Sequence, residues 1–261
     1  MKKASARGAR WWPGLPLLAF LALPLAALLL RASPEGLLTS LRESSVWQAI
    51  ALSLSTSLMA TALAVILGTP LGYLLARGRV PFRRAVDTLI DLPAVMPPSV
   101  AGLALLMAFG RRGLAGSYLN LWGIDIAFTS LAVVLAQLFI AAPLYVKSAA
   151  LGFEGVEREL EQAAALDGAS PWQAFRFVTV PLAWTALLGG AVMTWARALG
   201  EFGATIIFAG NFPGRTQTMP LAIYIGLELD LNVALTLSVI LIGLSFLSLL
   251  LVKGVLHREW R

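Results

Sequence analysis

Cysteine is missing from this chain and histidine occurs once. Without cysteine there is no disulfide, no thiolate metal site and no thiol nucleophile. The single histidine, His257, sits near the end of the chain, where side chains are usually solvated. That removes histidine catalysis and histidine metal ligation from the apolar runs. Charge is scarce as well, at 13% of residues, where soluble domains carry about 25%. No Gly-Lys pair occurs anywhere, so the phosphate-binding loop G-x-x-x-x-G-K-[ST] cannot be built. What fills the chain instead is apolar: 58% hydrophobic residues and a mean hydropathy of +0.80. This is the composition of an all-α membrane protein.

A hydrocarbon core about 30 Å thick needs about 20 apolar residues per helix. Stretches near Leu15–Leu30, Ile50–Ala76, Leu89–Phe109, Phe128–Ala150, Leu182–Ala209 and Val233–Val252 meet that need, which predicts six transmembrane helices. Pro13, Pro16 and Pro24 weaken the first. With Lys2, Lys3, Arg7 and Arg10 ahead of it, this run has a signal-peptide look, but it ends at Arg31 with no small-x-small cleavage site. It is read as an uncleaved first helix.

The net charge of +6 would suit nucleic acid, yet the basic residues are scattered between apolar runs. Lys2, Lys3, Arg7, Arg10, Arg77, Arg79, Arg83, Arg84, Lys147, Arg158, Arg176, Lys253, Arg258 and Arg261 fall on one side of the six-span scheme. Arg31, Arg42, Arg111, Arg112, Arg197 and Arg215 fall elsewhere. The positive-inside rule then predicts that both termini, and the polar loop 154–181, are cytoplasmic. The chain divides into residues 1–45 (basic segment, first helix and outer loop), a main region 46–253 that holds the other five spans and the polar loop, and a tail 254–261.

Two places inside the spans stand out. Pro93, Pro97 and Pro98, followed by Ser99, break the third span, and irregular backbone survives in a membrane only against protein or a water-filled cavity. This predicts a hinge or pathway lining. Pro143 predicts a kink in the fourth span, and Gly189-Gly190 a close approach to the fifth. Arg197 and Glu201, spaced i, i+4, share a helix face and can neutralise each other. Such groups usually face a bundle interior or an aqueous path, so the pair reads as a packing pin or a substrate contact. Thr205 follows on the same stretch. Beyond it, Gly210, Asn211, Pro213, Gly214, Arg215, Thr216, Gln217 and Thr218 form a string of donors that suits an anion, or an ordinary polar loop.

The loop 154–181 carries the most information. Glu157 to Leu166 predicts a helix, with Leu160, Ala163 and Ala164 on one shallow face and Glu157, Arg158, Glu159 and Glu161 covering the rest. Gly168 is placed for a left-handed C-cap, Ser170 for an N-cap and Pro171 for the first position of a second helix. Cap, turn and cap make a rigid knuckle outside the bilayer.

The run Gln162-Ala163-Ala164, three residues, Gly168, nine residues, Val178-Thr179-Val180-Pro181 resembles the E-A-A loop of ABC importer membrane subunits. It departs from that motif at Gln162, where the family has glutamate, and at its valines. Glu161 is the neighbouring acid that can stand in. Ala196 to Ala204, Gly210 to Thr218, Leu92 to Gly102 and Gly110-Arg111-Arg112-Gly113 are similar to the molybdate permease branch, and sulfate and tungstate permeases share parts of them. The resemblance covers about residues 46 to 253. It implies a type I ABC importer transmembrane domain in the cytoplasmic membrane and a homodimer that moves a tetrahedral oxyanion. It also implies two separate ATPase subunits, which use ATP and Mg, and a periplasmic or lipoprotein binding protein. No cofactor or metal is expected on this chain. Glu161, Gln162, Ala163, Ala164, Gly168 and Pro181 are the expected ATPase-coupling residues. Pro97, Pro98, Ser99, Arg197, Glu201 and Thr205 are the expected pathway or gate. An ion-coupled secondary transporter and an intramembrane enzyme working through Asp91 and Glu201 are the competing readings.

Overall fold

The computed structural model describes residues 12–257. Lys2, Lys3, Arg7, Arg10, Arg258 and Arg261 lie outside the described residues, as does the side chain of His257. After a 3-10 turn at Trp12–Gly14, the helices are α1 (Leu15–Arg31), α2 (Pro34–Ser40), α3 (Ser44–Ala76), α4 (Arg83–Val95), α5 (Pro98–Phe109), α6 (Gly116–Leu121) and α7 (Ser130–Glu154). Then come α8 (Arg158–Leu166), α9 (Pro171–Ala174), a π turn at Phe175–Thr179, α10 (Val180–Leu182), α11 (Trp184–Leu199), α12 (Gly203–Phe208), α13 (Met219–Leu229) and α14 (Leu231–His257). No strand occurs among the described residues.

Three helices, Ser44–Ala76, Ser130–Glu154 and Leu231–Gly254, are long and apolar enough to cross a membrane alone, and bent pairs bring the total to as many as 6. The third and fifth expected spans are therefore not straight rods. Arg83–Val95 meets Pro98–Phe109 at 115°, because Pro97 and Pro98 offer no N–H to continue α4 and Met96 leaves the helical region at ψ 142°. The fifth stops at Leu199 and restarts as α12 at Gly203. Between the expected fifth and sixth spans lies α13, a helix of 11 residues too short to cross but with Met219 and Leu221 fully buried. Pro143, by contrast, is accommodated within an unbroken α7.

The centre of the bundle is α3 laid alongside α7. A Cβ on Gly68 would come within 2.8 Å of Tyr145, and one on Gly72 within 2.9 Å of Ala149 Cβ. Gly68 and Gly72 form a G-x-x-x-G that brings two backbones together in lipid, where apolar side chains alone offer no drive to associate. Thr69 and the Tyr145 hydroxyl share a hydrogen bond of 2.7 Å across this seam. Elsewhere in α3, Thr56 and Thr61 donate to the carbonyls four residues back, so buried hydroxyls find partners without leaving their own helix. On α11, Gly190 packs against Ser148, whereas Gly189 meets nothing within 4 Å. Only one glycine of that pair makes the expected approach.

Candidate functional site

The loop after α7 is built as two capped helices. Glu157 stands at the N-cap of α8, and α8 ends at Leu166. Gly168 then adopts φ +90°, and the N–H of Ala169 reaches back to the Ala164 carbonyl at 2.9 Å. That backbone conformation is costly for any residue with a Cβ. Ser170 opens α9 with a full capping box: its Oγ accepts from the Gln173 N–H, and the Gln173 side chain accepts from the Ser170 N–H. The helix runs on through the π turn to Leu182 and bends 71° into α11. Pro181 lies just before that bend.

One contact joins this knuckle to the spans. Arg77, the C-cap residue of α3, is buried and donates to the carbonyls of Phe153 (3.0 Å) and Val156 (3.4 Å) at the end of α7. Its second terminal nitrogen, Nη2, meets Glu161 Oε1 at 2.5 Å, and the same oxygen accepts from the Thr179 hydroxyl at 2.6 Å. Glu161 therefore ties α8 to the end of α3 and to the π turn. It does not cover the outer face of α8 with charge, as its sequence position suggested, because a buried arginine draws it inward. Gln162 is exposed, as is Ala163, and Ala164 is half-buried. Nothing in the local pattern of residues 154–181 signals Arg77.

The expected pathway residues also come together. A Cβ on Gly203 would lie 2.4 Å from Pro98 Cβ, and one on Gly102 would lie 2.8 Å from the Ala204 carbonyl. The start of α5, carrying exposed Pro97, Pro98 and Ser99, thus rests on the start of α12. Glu201 is 2% exposed: Oε2 pairs with Arg197 at 2.7 Å, and Oε1 accepts the Ala204 N–H at 2.9 Å. Glu201 is at once the partner of a cation and the acceptor for an N–H in the first turn of α12, where a carboxylate also suits the positive end of the helix. Arg197 keeps 39% of its side chain accessible. Thr205 is fully buried, and its Oγ1 finds no partner among the described residues.

The geometry bears on two further readings. The donor string at 210–218 is turned on itself: the N–H groups of Arg215, Thr216 and Gln217 all point at the Phe212 carbonyl, and Thr216 Oγ1 accepts from the Phe212 N–H. These backbone donors are spent within the loop, as in an ordinary polar turn, while the buried Thr218 hydroxyl finds no partner among the described residues. Asp91 and Glu201, the acids an intramembrane enzyme would need side by side, are held by different cations. Lys147 takes Asp91 at 2.9 Å and Asp87 at 2.6 Å, while Arg197 takes Glu201. No cluster of three or more His, Cys, Asp or Glu capable of holding a metal occurs among the described residues.

Residues 68–259 match the family described as binding-protein-dependent transport system inner membrane component. The chain is 42% identical over 246 residues to the molybdenum transport system permease protein ModB of Mycobacterium bovis, covering 92% of each. Against ModB of Escherichia coli K12 the identity is 41% over 78% of this chain and 91% of that one. Against the putative molybdenum permease YvgM of Bacillus subtilis it is 38%, over 82% and 96%. Among solved structures, a bacterial ABC transporter that imports alginate superposes with a TM-score of 0.67 at 18% identity, covering 95% of this chain and 93% of that one. The MetNI methionine ABC transporter superposes at 0.59 with 20% identity, over 89% and 98%. These likenesses give the fold of an ABC importer permease.

Proposed function

The chain belongs to the binding-protein-dependent transport system inner membrane components, and from that membership we propose that it is the permease through which an ATP-driven importer passes molybdate across the cytoplasmic membrane. Relatives named for molybdenum transport, similar over most of their length, support the substrate. Tungstate and sulfate are its chemical neighbours and the alternative cargo. The working unit is two copies of this chain with two ATPase subunits and an external binding protein that delivers the anion. Both termini and the 154–181 loop face the cytoplasm.

The observation that carries this reading is the Arg77–Glu161–Thr179 link. Hydrolysis must be done elsewhere, since the chain cannot form a phosphate-binding loop. Force then enters through an element outside the membrane that is rigid in itself and fixed to the spans. The knuckle at Glu161, Gln162, Ala163, Ala164 and Gly168, running to Pro181, has both properties. A push on it moves the ends of α3 and α7 directly and bears on α11 through the 71° bend. The start of α5 on α12, with Arg197, Glu201 and Thr205, is the gate that this motion shifts between two arrangements.

Reconstitution tests the reading. Proteoliposomes holding this chain, its ATPase and its binding protein take up molybdate only with ATP and Mg, and sulfate competes weakly. Uptake without ATP, or driven by an ion gradient, refutes it.

A further inference from the structure

A cavity of about 360 Å³ opens where the end of α3 meets α8, lined by Tyr73, Arg77, Arg79, Arg158, Glu161 and Gln162 among others. Three of these six side chains are cationic and one is anionic. That carboxylate is already taken, by Arg77 and Thr179. Arg79 and Arg158 are exposed and make no ion pair among the described residues. Arg77 Nε, buried in the same wall, finds no acceptor among the described residues. The cavity therefore carries two uncompensated guanidinium groups, a neutral amide donor in Gln162 and an unsatisfied buried N–H. Guanidinium forks match tetrahedral oxyanions two hydrogen bonds at a time.

We propose that this cavity binds a phosphate-like anionic group, gripped by Arg79 on one side and Arg158 on the other. Such a group arrives as a free inorganic oxyanion or as the headgroup of an acidic phospholipid, since Tyr73 and Arg77 mark the end of a span. Arg79 lies just past α3 and Arg158 is the first residue of α8. An anion between them joins the same two segments as the Arg77–Glu161 pair and stiffens the knuckle. This goes beyond the proposed permease function and does not depend on the transported species.

The test uses the full chain in nanodiscs with radiolabelled inorganic phosphate as probe, in phosphatidylcholine and in phosphatidylglycerol discs. Saturable binding is expected in the neutral discs. Replacing both arginines (Arg79→Ala with Arg158→Ala) weakens it about tenfold or more, the scale of losing charge-assisted hydrogen bonds. Arg84→Ala, an exposed neighbour, leaves it unchanged. If the natural occupant is a headgroup, phosphatidylglycerol discs exclude the probe, and native mass spectrometry shows a retained lipid that the double variant loses. If it is the free ion, both discs bind phosphate alike. Equal binding by a double variant that melts normally overturns the proposal, as does neither phosphate nor lipid being held. Loss of the site on assembly with the ATPase subunits also overturns it, by making the arginines a protein contact.

Discussion

Arg77 and Glu161 meet at 2.5 Å although 84 residues separate them in the chain. Their side chains are 5% and 19% accessible, so the pair is largely withdrawn from water. Removing one partner of a buried pair strands the other charge, which costs about 3–5 kcal/mol. Glu161→Gln should therefore lower the melting temperature of the purified permease sharply and reduce ATP-coupled uptake. Gln162→Ala, at an exposed position, should change stability by no more than about 0.5 kcal/mol. Equal effects of the two substitutions would mean that Glu161 does not take the place of the motif acid.

Gly168 separates strain from contact. Its φ of +90° disfavours a side chain, but a Cβ there meets nothing within 4 Å. Gly168→Val should consequently leave the spans inserted, shift the α8–α9 turn at a cost of about 1–3 kcal/mol, and uncouple ATP hydrolysis from uptake. Gly168→Asn, which tolerates the left-handed region, should retain more of the coupling. The number to compare is molybdate transported per ATP hydrolysed. Full-rate coupled transport by the valine variant would remove the knuckle from the mechanism.

Two glycines in the α11–α12 region should respond to alanine with opposite signs. At Gly203 the new methyl group would sit 2.4 Å from Pro98 Cβ, so α5 and α12 must separate. Overpacking of this kind costs about 1–3 kcal/mol and should depress transport along with stability. At Gly189 the space is open and the residue is helical, so Gly189→Ala should stabilise by up to about 1 kcal/mol. Thermal melts of both variants in detergent check the signs.

Local chemistry was legible in the sequence. Gly168, Ser170 and Pro171 announce their caps, and Arg197 announces Glu201 by an i, i+4 spacing. Gly68 and Gly72 also carry a readable signal for the α3–α7 seam, one that a count of apolar spans passes over. Three features were hidden for physical reasons. The partner of Glu161 comes from another helix, and no periodicity encodes a pairing over such a separation. The prolines at 97 and 98 announce a break but not its angle of 115°, since α4 is also held to α7 by Lys147 through Asp87 and Asp91. The helix α13 has 11 residues, below the length of any span, so a search for crossings overlooks it.

The gate reading of Arg197 has to be told apart from a packing role, because Glu201 is buried and accepts the Ala204 N–H in the first turn of α12 whatever the pair does in transport. Arg197→Ala strands Glu201, with a loss of about 3 kcal/mol or more, and that loss alone would slow transport. Adding Glu201→Gln removes the stranded charge while leaving an amide oxygen to accept from the Ala204 N–H. The double variant should recover most of the stability of the parent protein. If Arg197 serves the anion directly, uptake stays low in this restored background while ATPase assembly is normal. If the pair only pins α11 to α12, uptake returns together with the melting temperature. The 39% of the Arg197 side chain left accessible beside a fully satisfied Glu201 favours the first outcome.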